Sequence, residues 1–130
     1  MVRREDVRDI ALTFPESVEN GAAFEVGGKG FAWTFSEKVE GVKGRVLRPD
    51  VLAVRVASGD EKEALLASDP EKFFTVPHYN GFPAVLVRLA AIGAEELAEL
   101  LEEAWRTRAP PRVAAPQRAE SAPIWFYGSQ

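Results

Sequence analysis

The stretch of sequence that decides the fold covers residues 64–88 and reads ALLASDPEKFFTVPHYNGFPAVLVR. Its first part ends a helix and restarts the chain at Ser68-Asp69-Pro70. Proline is favoured at the first position of a helical turn, so Asp69 is expected to cap a single turn there. That turn would deliver the adjacent side chains of Phe73 and Phe74 to the core.

An aromatic loop, residues 77–83, separates this turn from an apolar run. The run, residues 84–89, is short, β-prone and bounded by proline, which predicts a strand. Successive side chains of a strand point to opposite faces. One face would carry Val85, Val87 and Leu89, and the other Leu86 and Arg88.

Upstream, the sequence predicts a helix followed by a hairpin. Apolar residues at i, i+3, i+4 and i+7 mark one helical face that must end by Pro15. These residues are Val7, Ile10, Ala11 and Phe14. Residues 23–26 and 31–35 are β-prone runs around Gly27-Gly28-Lys29-Gly30, a composition that favours a tight reversal of the chain.

In the second run Phe31, Trp33 and Phe35 alternate with smaller residues, so we expect the three aromatic rings on one sheet face beneath a helix. Residues 36–50 mix charges with glycine and proline, which predicts a long excursion with a strand near residues 45–47. Residues 51–56 return to strand character, with Arg55 pointing away from the core face.

Two further helices complete the pattern. Asp60, followed three residues later by Glu63, resembles a capping box for a short helix through Ser68. The last helix is predicted from apolar residues at helical spacing, with acids in its first turn and arginines in its last. Those apolar residues are Leu97, Leu100, Leu101 and Ala104.

Taken in order, five segments resemble successive motifs of the MmcQ/YjbR-like family of bacterial proteins: FEVGGKGFAW, VLAVRV, LLASDPEKFF, PHYNGFPAVLVRL and ELAELLEEAWR. The resemblance covers residues 4–112. It implies an α+β fold, a two-layer sandwich in which an antiparallel sheet packs against helices, similar to the frataxin-like CyaY shape. Members of the family are often labelled DNA-binding, so the resemblance also implies DNA as a partner.

Composition limits the function classes. The 130 residues suffice for one ordinary domain, and no apolar run is long enough to span a bilayer, so no membrane association is expected. The absence of cysteine excludes disulfides and cysteine-based metal or nucleophile chemistry. The N-terminal residues lack an apolar signal segment, and a cytoplasmic location is expected.

Nucleic-acid binding would need a local basic patch, because the net charge is -4 and the overall field repels polyanions. One hypothesis is a weak DNA-binding module whose basic sheet face contacts phosphates while its hairpins act as wings. The residues proposed for this face are Lys29, Lys43, Arg45, Arg48, Arg55 and Arg88.

The alternative is a protein-binding or small-molecule-binding adaptor that uses the loop around His78. His78, Tyr79 and Asn80 offer groups that donate, accept or stack on a ligand. His78 is the only histidine, with no visible cluster of carboxylates around it, so no metal and no cofactor are predicted. No nucleophile motif accompanies it, so no catalysis is expected.

Residues 1–112 are predicted to form the domain, and residues 113–130 a C-terminal tail. The tail is rich in proline, alanine and serine until an aromatic cluster, residues 124–127. An exposed cluster of that size would be a liability, so it is expected to be buried. Docking on its own sheet gives a monomer, and docking on a second copy gives a homodimer; both remain open.

Overall fold

The computed structural model describes residues 2–113. The three helices are α1 (Arg4–Ala11), α2 (Gly59–Ser68) and α3 (Ala94–Arg108). The strands are β1 (Val18–Asn20), β2 (Ala23–Val26), β3 (Lys29–Lys38), β4 (Arg45–Arg55), β5 (Phe73–Phe74) and β6 (Ala84–Arg88). Single 3-10 turns occupy Pro77–Tyr79 and Leu89–Ala91.

The strands form one open antiparallel sheet in the order β1-β2-β3-β4-β6-β5. Helices α1 and α3 pack on one face of this sheet and bury the helix-side core. The predicted helical faces are confirmed, since Val7 and Ala11 of α1 and Leu97 and Leu101 of α3 are fully buried. The α+β fold with an antiparallel sheet against helices is therefore confirmed.

A second apolar cluster, the outer core, lies on the opposite face of the sheet. Its buried members are Phe35, Ala53, Tyr79, Ala84 and Leu86. The covering loop, residues 75–83, supplies Tyr79 to this cluster and closes it from solvent. Residues 52–54 of β4 and 84–87 of β6 are consequently buried on both faces of the sheet.

A β-bulge at Phe31 overturns the expectation that three aromatic rings share one face. The ladder pairs Phe24 with Ala32 and Glu25 with Gly30, which leaves Phe31 opposite no residue of β2. The extra residue reverses the alternation. Phe31 therefore lies in the helix-side core, whereas Trp33 and Phe35 belong to the outer core.

The expected excursion of residues 36–50 is instead a continuation of the β3–β4 hairpin, here called the arm, residues 35–48. The strand expected near residues 45–47 is confirmed as the start of β4. At the base of the arm the ladder steps from Thr34 opposite Leu52 to Phe35 opposite Arg48. The skipped residues of β4 include Pro49, which has no N–H to donate and is tolerated where a ladder is interrupted.

Helix α2 begins two residues earlier than predicted and with a different cap. The N-cap is Ser58, whose Oγ accepts from the backbone N–H of Glu61 at 3.2 Å. The pairing of Asp60 with Glu63 was therefore wrong, because the serine two residues before Asp60 is the preferred residue type for this role. The turn predicted at Asp69 is confirmed: its carboxylate accepts from the Glu71 N–H at 3.0 Å.

The proposed boundary between domain and tail falls inside packed structure. Val113 is buried in the helix-side core, so packing extends at least to this residue. The aromatic cluster of residues 124–127 lies outside the described residues, and its docking stays a prediction.

The β2–β3 turn offers a test of the packing at the end of α3. Gly27 and Gly28 both have positive φ, +60° and +76°. A Cβ on Gly27 would lie 3.1 Å from the Pro110 ring, whereas a Cβ on Gly28 would meet nothing within 4 Å. Gly28→Ala should cost about 1–2 kcal/mol for the left-handed backbone alone, and Gly27→Ala should cost more. Urea unfolding of both variants measures this, and equal destabilisation would contradict the Pro110 contact.

Candidate functional site

Lys62 is the buried charged residue of α2. The residue as a whole is only 7% exposed to solvent. The Nζ donates to the backbone carbonyls of Tyr79 at 2.5 Å and of Phe82 at 2.8 Å. Lysine is rarely buried without a charged partner, yet no described carboxylate lies within ion-pair distance of this Nζ. Within residues 2–113, the carbonyl dipoles of Tyr79 and Phe82 hold this group.

Burial lowers the pKa of the Lys62 ammonium below its ordinary value. The physical cause is desolvation, because the charged form loses water that the two carbonyls replace only in part. A titratable group with a shifted pKa beside a cleft is a recognised sign of a functional site.

Lys62 lines a pocket of about 280 Å³ between α2 and the covering loop. Helix α2 contributes Gly59 and Glu63, and the loop contributes Thr75 and Asn80. The volume is near the lower end for sites that hold a small molecule. The pocket therefore joins a buried basic group with hydroxyl, amide and carboxylate side chains.

The covering loop holds its shape through local bonds and one buried tyrosine. A 3-10 turn starts at Pro77, and the Tyr79 N–H donates to the Val76 carbonyl at 2.8 Å. The Tyr79 ring is buried and its hydroxyl accepts from Trp33 Nε1 at 3.0 Å. Gly81, at φ +77°, then turns the chain toward β6.

The structure separates the three residues predicted to bind a ligand. Tyr79 is part of the outer core and is occupied by the hydrogen bond from Trp33. Asn80 is exposed and lines the Lys62 pocket. His78 is exposed beside a smaller hollow of about 150 Å³ that Trp33 and Phe82 also line. The predicted trio is thus divided between two hollows and the core.

The cations of the arm do not share one face. Arg48 lies opposite Phe35, which faces the outer core, and it pairs with Glu37. Arg45, three residues earlier, projects from the other face and donates to Ser36 Oγ at 2.9 Å. Lys43 is exposed in the turn at the tip of the arm.

The other three predicted cations lie elsewhere on the sheet. Lys29 begins β3, at the end far from the tip of the arm. Arg55 lies over the Phe82 ring at 5.1 Å and Arg88 over the Phe74 ring at 4.0 Å. Both belong to the outer face, but they are four residues apart along the β4–β6 ladder, roughly 13 Å.

The structure therefore does not form the single basic sheet face that the sequence predicted. The two central strands of that face are covered by the loop, and the six cations are divided between two faces and two ends of the sheet. Only Lys43, Arg45 and Arg48 are neighbours, on the arm.

A second cleft, of about 260 Å³, lies between α2, α3 and the end of β4. Leu65 and Leu100 line it together with Arg55, and its walls are mainly apolar. Burial, and secondly the positive charge of Arg108, lower the pKa of Arg55. Polar groups converge less in this cleft than around Lys62, so the Lys62 pocket is the stronger candidate.

Sequence reasoning missed Lys62 because it stands in the charged run Asp60-Glu61-Lys62-Glu63, which is typical of a solvated helix face. One signal was available. Lys62 precedes Leu65 and Leu66 by three and four residues, so it shares their helical face. A lysine on the inward-packing face of a helix needs a hydrogen-bond acceptor or a negative charge inside the protein.

Two general features of the described residues are relevant to the class of protein. No helix within residues 2–113 has the length and apolar character needed to cross a bilayer. In the same part of the chain no three histidine, aspartate or glutamate side chains group closely enough to hold a metal ion.

The fold and pocket define a class: α+β proteins with an open antiparallel sheet, helices on one face, a loop-covered apolar cluster on the other, and a hollow between that loop and a helix. Comparison with known proteins makes this specific. The YjbR family model matches residues 8–107. The chain belongs to the YjbR family, and the resemblance seen in its motifs is confirmed.

Relatives and a solved structure agree with this assignment. The chain is similar to the uncharacterised proteins Rv2570 of Mycobacterium tuberculosis and Mb2600 of Mycobacterium bovis. Each is 48% identical over 64 residues, 49% of this chain and 50% of the relative, so the chain spans about half the length of these curated relatives. The crystal structure of Deinococcus radiodurans DR2400, a DUF419 domain, matches with a TM-score of 0.52 at 22% identity, over 81% of this chain and 77% of that chain. At this identity it supports the fold alone.

The buried lysine leads to a prediction about stability and pH. Lys62→Met leaves two carbonyls without their donor, which should cost about 1–3 kcal/mol. The unfolded chain keeps the ordinary lysine pKa of 10.5, above that of the folded state. Between the two values the folded protein binds fewer protons, so wild-type stability rises with pH. The deficit of Lys62→Met should therefore widen as the pH rises toward 10.5 in urea unfolding.

Lys72 supplies the matched control. Its hydrogen bond to Glu96 raises its pKa above 10.5, so its titration falls above this pH range. The stability difference between wild type and Lys72→Met should not widen as the pH rises toward 10.5. A flat difference for Lys62→Met as well would show that burial does not shift its titration.

Proposed function

We propose that the protein is a binding module for a small polar molecule, without catalysis of its own, and that its site is the Lys62 pocket. The single observation that carries this proposal is a buried lysine, without a described carboxylate partner, on the wall of a hollow of about 280 Å³. A protein that needed only to fasten its covering loop could do so with a neutral donor and no cost of burying a charge.

The side chains around the pocket support a polar ligand. Thr75 offers a hydroxyl and Asn80 an amide, and both can donate and accept hydrogen bonds. Phe82, 39% exposed, adds an apolar wall. Small-molecule sites usually have a largely apolar wall that carries a few polar groups. This proposal develops the adaptor alternative and moves its centre from His78 to Lys62.

Weak nucleic-acid binding is a second candidate function, supported by the arm instead of the sheet face. Lys43 and Arg45 are exposed at the end of a hairpin that extends beyond the sheet, where a wing could follow phosphates. The arm is only mildly basic, and the net charge of -4 opposes binding. Binding of this kind would be weak and salt-sensitive.

A cytoplasmic location remains part of the proposal, and so does a monomer or a homodimer formed through the tail.

The ligand site can be tested by NMR with a panel of small probes. Phosphate, citrate, pyruvate and propanal would be titrated separately into ¹⁵N-labelled protein. At least one is expected to shift the amides of Gly59, Asn80 and Gly81, which line the pocket. The same titration of Lys62→Met should lose these shifts if Lys62 supplies the affinity. No shift at these amides with any probe would contradict the proposed site.

The nucleic-acid candidate is tested by fluorescence anisotropy with double-stranded and single-stranded DNA at low and near-physiological salt. Replacing Lys43 and Arg45 together by Ala should weaken binding and lower its salt slope by about 2, roughly 1 for each phosphate that is no longer neutralised. The matched control replaces Lys29 and Arg112, and this replacement removes the same amount of positive charge from positions outside the arm. Equal effects of the two pairs would argue against the arm, and no binding at low salt would exclude the function.

A further inference from the structure

The chemistry of Lys62 goes further than a hydrogen-bonding role. We propose that Lys62 holds its ligand as a reversible imine, formed between Nζ and the carbonyl carbon of a small aldehyde or ketone. This inference rests on the proposed function, because it names the class of ligand that the same pocket would take.

The hydrogen bonds of Lys62 fit a neutral amine. A neutral amine has two N–H donors and one lone pair, whereas an ammonium has three N–H donors. Two described acceptors surround Nζ, the carbonyls of Tyr79 and Phe82. In the amine form both N–H groups can be engaged by these carbonyls, which leaves the lone pair free on a residue that lines the pocket.

The other lysines of the chain lack this environment. Lys29, Lys38 and Lys43 are exposed, and the pKa of Lys72 is raised, first by its hydrogen bond to Glu96. Burial lowers the pKa of Lys62, so a larger share of it is amine near neutral pH. Glu63 is the one other ionisable residue that lines the pocket, and it is exposed on the same helix.

The reaction balances without a further reactant. The Nζ lone pair forms a bond to the carbonyl carbon, and the carbonyl π electrons move to its oxygen. A proton passes from nitrogen to that oxygen, giving a carbinolamine. Loss of the hydroxyl group with the second amine proton releases one water and leaves the C=N bond. Hydrolysis reverses each step, so ligand and lysine are both recovered.

The pocket also limits what the ligand can be. Its volume of about 280 Å³ suits a compact molecule and not a large cofactor. Thr75 and Asn80 can bind a hydroxyl or carboxylate elsewhere on the ligand. A small hydroxyaldehyde or keto acid meets these conditions better than a simple alkyl aldehyde.

Reductive trapping tests the inference. Intact protein at pH 7 would be treated with pyruvate, or separately with propanal, in the presence of cyanoborohydride, and labelling followed by peptide mass spectrometry. Lys62 should label faster than each of the other four lysines, because its lowered pKa leaves a larger share of it as amine. The α-amino group, which also labels near neutral pH, is read on a separate peptide. Faster trapping with pyruvate than with propanal would show that the pocket also binds the carboxylate of pyruvate.

Two controls separate chemistry from folding. In urea the five lysines should label at similar rates, because the burial of Lys62 is lost. Lys62→Arg keeps a donor to both carbonyls but has no nucleophilic amine, so it should stay folded and lose only the fast label. Native Lys62 labelling no faster than Lys29 would overturn the imine. If pyruvate still shifted the amides of Gly59 and Gly81, the binding site would stand without the imine; if neither effect occurred, both would fail.

Discussion

The two hydrogen bonds from Lys62 to the carbonyls of the covering loop support the outer half of the molecule. Residues 52–54 of β4 and 84–87 of β6 are buried and apolar on both faces of the sheet, so each face needs cover. Helices with regular backbone bonding cover one face. Among the described residues, the loop of residues 75–83 covers the other face, and its regular feature is a 3-10 turn. Since Leu65 and Leu66 fix α2 on the helix-side core, Lys62 ties the loop to a rigid element.

This arrangement gives one residue two tasks. The bonds that hold the loop over the outer core are the same bonds that leave Lys62 at the wall of the pocket. A ligand that engages Nζ must therefore change how firmly the loop is held, since each N–H given up releases one carbonyl. Tyr79 limits that release, because its ring remains buried and bonded to Trp33. In the proposed function, ligand binding and local loop stability would therefore be coupled through a single side chain.

The fold was largely predictable because its signals are local. Helical spacing identified the inward faces of α1 and α3, and the glycines at residues 27 and 28 located the hairpin. The prediction of which side chains share a sheet face was wrong where one extra residue interrupts the two-residue alternation of a strand. The bulge at Phe31 moved Trp33 to the other face, and composition does not reveal on which residue a bulge falls. The family motifs indicated the two-layer arrangement but not these details.

The site was less predictable because it depends on register and burial. Arg45 and Arg48 are close in sequence, yet an odd separation along a strand places them on opposite faces. His78 and Tyr79 are adjacent, yet one is exposed and the other buried. Lys62 stood among acids and resembled a surface charge. Its inward position follows from its spacing to Leu65 and Leu66, which becomes decisive only once the start of α2 is known.

The interrupted ladder at the base of the arm also affects where this chain can accept inserted residues. The two strands of the arm pair only with each other, because β2 pairs with β3 no further than Trp33 and β6 pairs with β4 no further than Val51, and the tip of the arm is exposed. Lengthening a loop costs little, about 0.6 kcal/mol for each doubling. Within residues 2–113, the turn at residues 39–44 is therefore a place where insertions should be tolerated, and where a reporter peptide could be grafted without disturbing either core.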